Sequence, residues 1–131
     1  MKQKYIAGDW VRYIGIASPI VVQIIEVREE KLLIDLGECN WYLADRSEVD
    51  SIRLTGEILE KNGFKEEQHQ KEGTSEWYDY YHYDLGINIV YEVEEDKFAA
   101  YLDGKKLREI QYAHELQHIL WALGLNAELK V

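Results

Sequence analysis

Short runs of β-branched and aromatic residues, broken repeatedly by turn residues, fill most of this chain, and helical spacing survives in only two segments. Residues 10–14, 20–27, 32–36 and 40–43 are such runs, and Gly8-Asp9, Gly15, Glu29-Glu30 and Gly37 mark the reversals between them. Strands this short and this few cannot make a two-layer sandwich. A small curled barrel of the SH3-like kind buries one face and limits open edges, so residues 1–53 are expected to form an SH3-like β-barrel subdomain.

The texture changes at Leu54. Thr55 is placed as an N-cap, Glu57 lies in the first turn, and Gly63 can supply the left-handed stop of a short helix whose apolar side carries Leu54, Ile58, Leu59 and Phe64. Residues 65–75 contain no apolar side chain and read as an exposed loop. Three further strands follow over residues 77–83, 87–93 and 98–102, and Asp103-Gly104 is a tight-turn signal leading into residues 105–107. From about Ile110 to Leu123, Tyr112, Leu116, Ile119, Leu120 and Leu123 recur at helical spacing, with Gly124 as the stop and Leu125 folding back on Leu120. Residues 127–131 can add an edge strand. Residues 54–131 are thus expected to be an α+β subdomain packed against the barrel, and the fold class is α+β.

A chain of 131 residues can bury a self-sufficient core, and an aromatic fraction of 12% excludes a disordered acidic chain. With 25 acidic against 15 basic residues the formal charge is -10, which repels nucleic acid. It suits a basic partner, or an acidic DNA-mimic inhibitor as a minor alternative. The single cysteine, Cys39, cannot form an internal disulfide, and no basic neighbour activates it. The N-terminal stretch with Lys2 and Lys4 leads into Asp9 and Arg12 rather than an apolar run, so no signal peptide, no membrane segment and a cytoplasmic location are expected.

One motif looks like chemistry. His114-Glu115-Leu116-Gln117-His118 matches His-Glu-x-x-His, whose four-residue spacing puts two imidazoles on one helical face where they can share a zinc ion, with the Glu beside them to polarise a water. A catalytic zinc needs a third protein ligand. Position 124, where extended motifs of this kind place a His, is Gly, and Glu128, His82 and His69 are the remaining candidates. The competing reading makes His114, Gln117, His118 and Trp121 a half-exposed stripe beside the core stripe, with the imidazoles held by protein hydrogen bonds. That reading is preferred: no metal, no cofactor and no catalytic residue are expected, and a zinc-dependent peptidase using His114, Glu115 and His118 is the alternative.

Residues 54–64 and 110–118, with Leu123-Gly124 following, resemble a group of small uncharacterised proteins of gut Bacteroidales and their phages and mobile elements. The order of parts is similar over most of the chain. In that group the helix reads like Tyr-Val-His-Gln-Leu-Gln-His or Tyr-Val-His-Glu-Leu-Gln-Asn, so the position of Glu115 is often Gln and that of His118 often Asn. The resemblance implies a structural His-x-Leu-Gln helix and a phage or mobile-element setting, and it carries no activity.

Exposed aromatics are the other candidates. Residues 76–83 place Tyr78, Tyr80 and His82 on one face of a strand and Asp79 and Tyr81 on the other, while Trp10 and Trp41 give the expected barrel an aromatic surface. Trp10, Trp41, Tyr78, Tyr80 and His82 are therefore the candidate interaction surface for a protein partner. The function expected is that of a non-enzymatic interaction or accessory protein.

Overall fold

The computed structural model describes residues 4–131, and the first three positions of the lysine-bearing N-terminal stretch lie outside the described residues. Alternating apolar residues build the first sheet from β1 (Trp10–Tyr13), β2 (Ile20–Arg28), β3 (Lys31–Asp35), β4 (Trp41–Asp45) and, after a 3-10 turn (Arg46–Glu48), β5 (Val49–Ser51). All pairs are antiparallel, and the order across the sheet is β4-β3-β2-β1-β5. Val11, Tyr13, Val22, Ile24, Leu32, Ile34, Ala44 and Val49 bury one face together with Tyr5. This sheet is open, and the closed barrel expected from strand length is not formed by pairing. The outward N–H of Asp45 in β4 is already held by Glu48 Oε1 at 3.0 Å. Among the described residues β5, three residues long, pairs with β1 alone.

The second unit holds α1 (Gly56–Lys61), β6 (Lys65–Glu72), β7 (Ser75–His82), β8 (Ile87–Glu92), β9 (Lys97–Leu102), β10 (Lys105–Ile110) and α2 (Ala113–Ala122). Its sheet is an antiparallel meander, β10-β9-β8-β7-β6. Thr55 Oγ1 caps α1 by accepting from Ile58 N at 3.2 Å, and Gly63 (φ 90°) ends it where a Cβ would stand 2.7 Å from His82 Nε2. At α2 the stop is Gly124 (φ 72°), and Leu125 N returns to Leu120 O at 2.8 Å. Tyr80, Ile87, Ile89, Phe98, Ala100 and Ile110 on the sheet meet Ile58 and Leu59 of α1 and Leu116, Ile119 and Leu120 of α2 in one core.

Residues 65–75 are not a loop. Lys65–Glu72 is strand β6, turning through Gly73 into β7, with all eight residues exposed. An edge strand needs no buried side chain when its neighbour supplies the ladder, so apolar alternation cannot reveal it. His69 adds a ring stacked on Tyr78, with centroids 4.1 Å apart. Nor do residues 127–131 add a strand; Asn62 holds that tail, accepting from Lys130 N at 2.8 Å and donating to Lys130 O at 2.7 Å.

The two units share backbone. Ile52 O accepts from Ala113 N, and Leu54 N donates to Gln111 O, both at 2.8 Å, so the connector between the sheets pairs with the start of α2. No described helix is long and apolar enough to cross a membrane.

Candidate functional site

α2 carries the His-Glu-x-x-His residues to the junction between the two units. Its axis is set by the Leu116, Ile119 and Leu120 stripe packing on the second sheet, which turns His114, Gln117 and His118 toward the first unit. The half-exposed stripe expected there is deeper than its composition implies: His114 and Gln117 are 1% and 3% exposed, whereas Trp121 is 54% exposed.

Each member of the motif has a protein partner or a packed environment. His118 Nε2 lies 2.9 Å from both carboxylate oxygens of Asp9, a residue that is itself 1% exposed. Asp9 also accepts from Ile6 N at 2.9 Å. Glu115 bends back over the start of its own helix: Oε1 accepts from Tyr112 N at 3.0 Å and Gln111 N at 2.9 Å, and Oε2 from Arg108 at 2.7 Å. It satisfies the donors a helix N-terminus leaves open and is aimed away from the imidazoles. The His114 ring is enclosed by Tyr5, His118 and Tyr112, with centroids at 5.0, 5.4 and 5.8 Å, and its Nδ1 has no hydrogen-bond partner among the described residues.

Between the two histidines Gln117 acts as a clamp. Its Oε1 accepts from Trp10 N at 3.0 Å, and its Nε2 donates to Gly8 O at 3.0 Å and Ala127 O at 3.2 Å. One side chain therefore ties the start of β1, α2 and the C-terminal tail together. Beside it opens a cleft of about 310 Å³, walled by Ala7, Gly8, Trp121, Leu125 and Ala127, with Asp9 and Gln117 at its lining.

Among the described residues no group of three His, Cys, Asp or Glu side chains is placed to hold a metal ion. His69 lies on β6 against Tyr78 and Glu76, and His82 Nδ1 accepts from Leu85 N at 3.3 Å, so neither approaches the pair on α2. Asp9 is the member that sequence reasoning missed. It reads locally as half of a Gly-Asp turn, and its partner lies 109 positions away.

The five aromatic surface candidates separate. Tyr80 is 7% exposed and belongs to the second core, with its hydroxyl against Gly56. His82 packs edge-on to Phe64, Tyr78 is sandwiched between His69 and Tyr91, and Trp10 packs on the second core from β1. Trp41, 63% exposed, remains at the surface.

The His114 enclosure predicts a pH dependence. Burial lowers the His114 pKa first; Asp9 and Glu115 pull it up, while His118 and Arg108 push it down. A folded state that binds this proton less readily than the unfolded chain is stabilised above the ordinary histidine value near 6.5, and that stability is lost as pH falls below it toward the depressed folded value. Urea unfolding at pH 7.5 and 5.5 should therefore show a smaller pH dependence for His114→Leu than for the wild type. Equal slopes refute the assignment.

No protein-family model, curated protein or solved structure matches this chain.

Proposed function

We infer that this chain is a non-enzymatic interaction or accessory protein, acting in a phage or mobile-element setting, that binds a protein partner through its N-terminal sheet. The observation that carries the reading is the distribution of exposed apolar side chains. Of the twelve large exposed hydrophobics among the described residues, eight fall between residues 14 and 43: Ile14, Ile16, Ile20, Val21, Leu36, Trp41, Tyr42 and Leu43. Exposed apolar residues concentrated in one unit, here on both faces of its sheet, favour an interaction surface there. The His-Glu-x-x-His side chains meanwhile serve the junction, through the Asp9 pair, the helix start and the enclosed His114 ring.

We read the first unit as SH3-like. Supporting this are the strand order β4-β3-β2-β1-β5, the 3-10 turn between β4 and β5, and the register shift in β2 between Ile24 and Glu26 that lets a long strand bend.

Tag-free protein tests the reading. Metal analysis is expected to find no stoichiometric zinc, and affinity capture from host lysate is expected to enrich a protein that a Trp41→Ser, Val21→Lys double variant no longer enriches. Stoichiometric zinc that disappears in His114→Ala overturns the reading in favour of hydrolysis.

A further inference from the structure

The outermost strands of the two sheets differ in how they are protected. β5 is three residues long. β6 exposes Lys65, Glu66, Glu67, Lys71 and Glu72 and carries a register shift between Glu66 and Gln68. β10 exposes Lys105, Lys106 and Arg108 and shifts register between Lys106 and Arg108. Short length, charge and bulges are the devices by which sheets discourage a further strand from pairing.

β4 has neither a bulge nor a lysine or arginine. It keeps an unbroken register with β3 from Trp41 to Asp45 and exposes Trp41 at 63%, Tyr42 at 38% and Leu43 at 37%. The hydrogen bonds fix which of its backbone groups are open. Leu36 N donates to Asn40 O at 2.7 Å, and Arg46 N to Glu30 O at 3.3 Å. Antiparallel pairs alternate between bonded and non-bonded, so Asn40, Tyr42 and Ala44 bond to β3, and the N–H and C=O of Trp41 and Leu43 turn outward. The next outward N–H, that of Asp45, is closed by Glu48. Among the described residues the open edge is therefore one short, defined stretch. Leu33, paired with Leu43, extends its apolar surface inward on the side of Trp41, and Tyr42 faces the other side.

Charge selects the occupant. Asp35 pairs across from Trp41, Glu38 lies in the β3–β4 hairpin, and Glu48 contacts Tyr42; Lys31, the one lysine of β3, is held by Asp45 at 3.0 Å. A second copy would bring the same carboxylates and a further formal charge of -10 to this place. A different chain bearing cations meets attraction instead.

We propose that the open edge of β4 docks an extended segment of a partner protein in which apolar residues alternate with Lys or Arg, pairing with the Trp41 and Leu43 backbone. This rests on the interaction reading above and names the class of partner. Strand addition of this kind takes affinity from main-chain hydrogen bonds and specificity from alternate side chains.

A displayed library of random peptides, selected on the immobilised full chain, tests it. The expected result is enrichment of peptides alternating apolar residues with Lys or Arg, which protect the amides of Trp41 and Leu43 from hydrogen exchange. Leu43→Pro removes one outward N–H without touching the β3 ladder, a placement proline tolerates on an edge. It is expected to weaken the selected peptides by about tenfold or more. Leu43→Lys, which keeps that N–H and adds the kind of charge that guards β6 and β10, is expected to weaken them likewise and covers the case in which the proline variant misfolds. Failure to enrich any peptide, enrichment of acidic peptides, or concentration-dependent self-association lost in both variants overturns the proposal. Peptides that bind wild type and both variants equally overturn it too while leaving the interaction reading standing.

Discussion

Gln117→Leu should destabilise the protein by about 3 kcal/mol, the cost of leaving a half-buried backbone N–H and a half-buried carbonyl without partners. The leucine has a similar size and suits the helix, so packing and propensity change little. Trp10 N loses its acceptor and Ala127 O its donor, whereas Gly8 O keeps Gln23 Nε2 at 2.9 Å. Such a loss is a large share of the roughly 5–15 kcal/mol that holds an ordinary domain together. It corresponds to a Tm lower by roughly 10 °C for a chain of this length. Urea denaturation at neutral pH measures it directly, and a change below about 1 kcal/mol would show that the clamp is dispensable.

Asp9→Ala should cost about as much, roughly 3 kcal/mol, because Ile6 N and His118 Nε2 both lose their partner at a buried site. The carboxylate is 1% exposed, and both Ile6 N and His118 Nε2 depend on it. His118 keeps 21% of its side-chain surface in solvent, so water recovers part of the loss. Asp9→Asn retains an acceptor for Ile6 N and should cost only about 1 kcal/mol. If the asparagine and alanine variants unfold at the same urea concentration, the acceptor that asparagine keeps for Ile6 N contributes nothing. The combined Gln117→Leu, Asp9→Ala variant should lose less than the sum of the two, since both side chains restrain the same residues 8–10 and the second change acts on a segment already released.

These predictions concern residues whose importance a local reading does not show. Gln117 sits in the polar stripe of α2 and Asp9 in a turn dipeptide, and each reads as solvent-facing from its neighbours. Each has a partner more than a hundred positions away along the chain. The same distance explains the fate of His-Glu-x-x-His. Spacing alone puts both imidazoles on one face, and what stands opposite that face decides whether they meet a cation or a carboxylate. Here Asp9 stands opposite His118, and the aromatic rings of Tyr5 and Tyr112 enclose His114.

The surface candidates show the limit from another side. Alternation in residues 76–83 correctly separates Tyr78, Tyr80 and His82 from Trp77, Asp79 and Tyr81, but it cannot say which set faces the helices. Docking of α1 and α2 decided that and buried Tyr80. Trp41 kept its exposure because its strand ends the first sheet.

What the amino-acid order determined alone is local: where both helices and most of the apolar strands lie, that Thr55 caps α1, that Gly63 and Gly124 end the two helices, and which helical stripes are apolar. Caps, left-handed stops and periodic stripes act over a few residues, so their physics is written in neighbouring letters. Only the tertiary structure decided that residues 65–72 pair as a strand without an apolar side chain, that Asp9 meets His118, and that β4 is left with an open edge. Those outcomes depend on which backbone or side chain arrives from a distant part of the chain, and hydrogen-bond pairing leaves no periodic trace in the residues it joins.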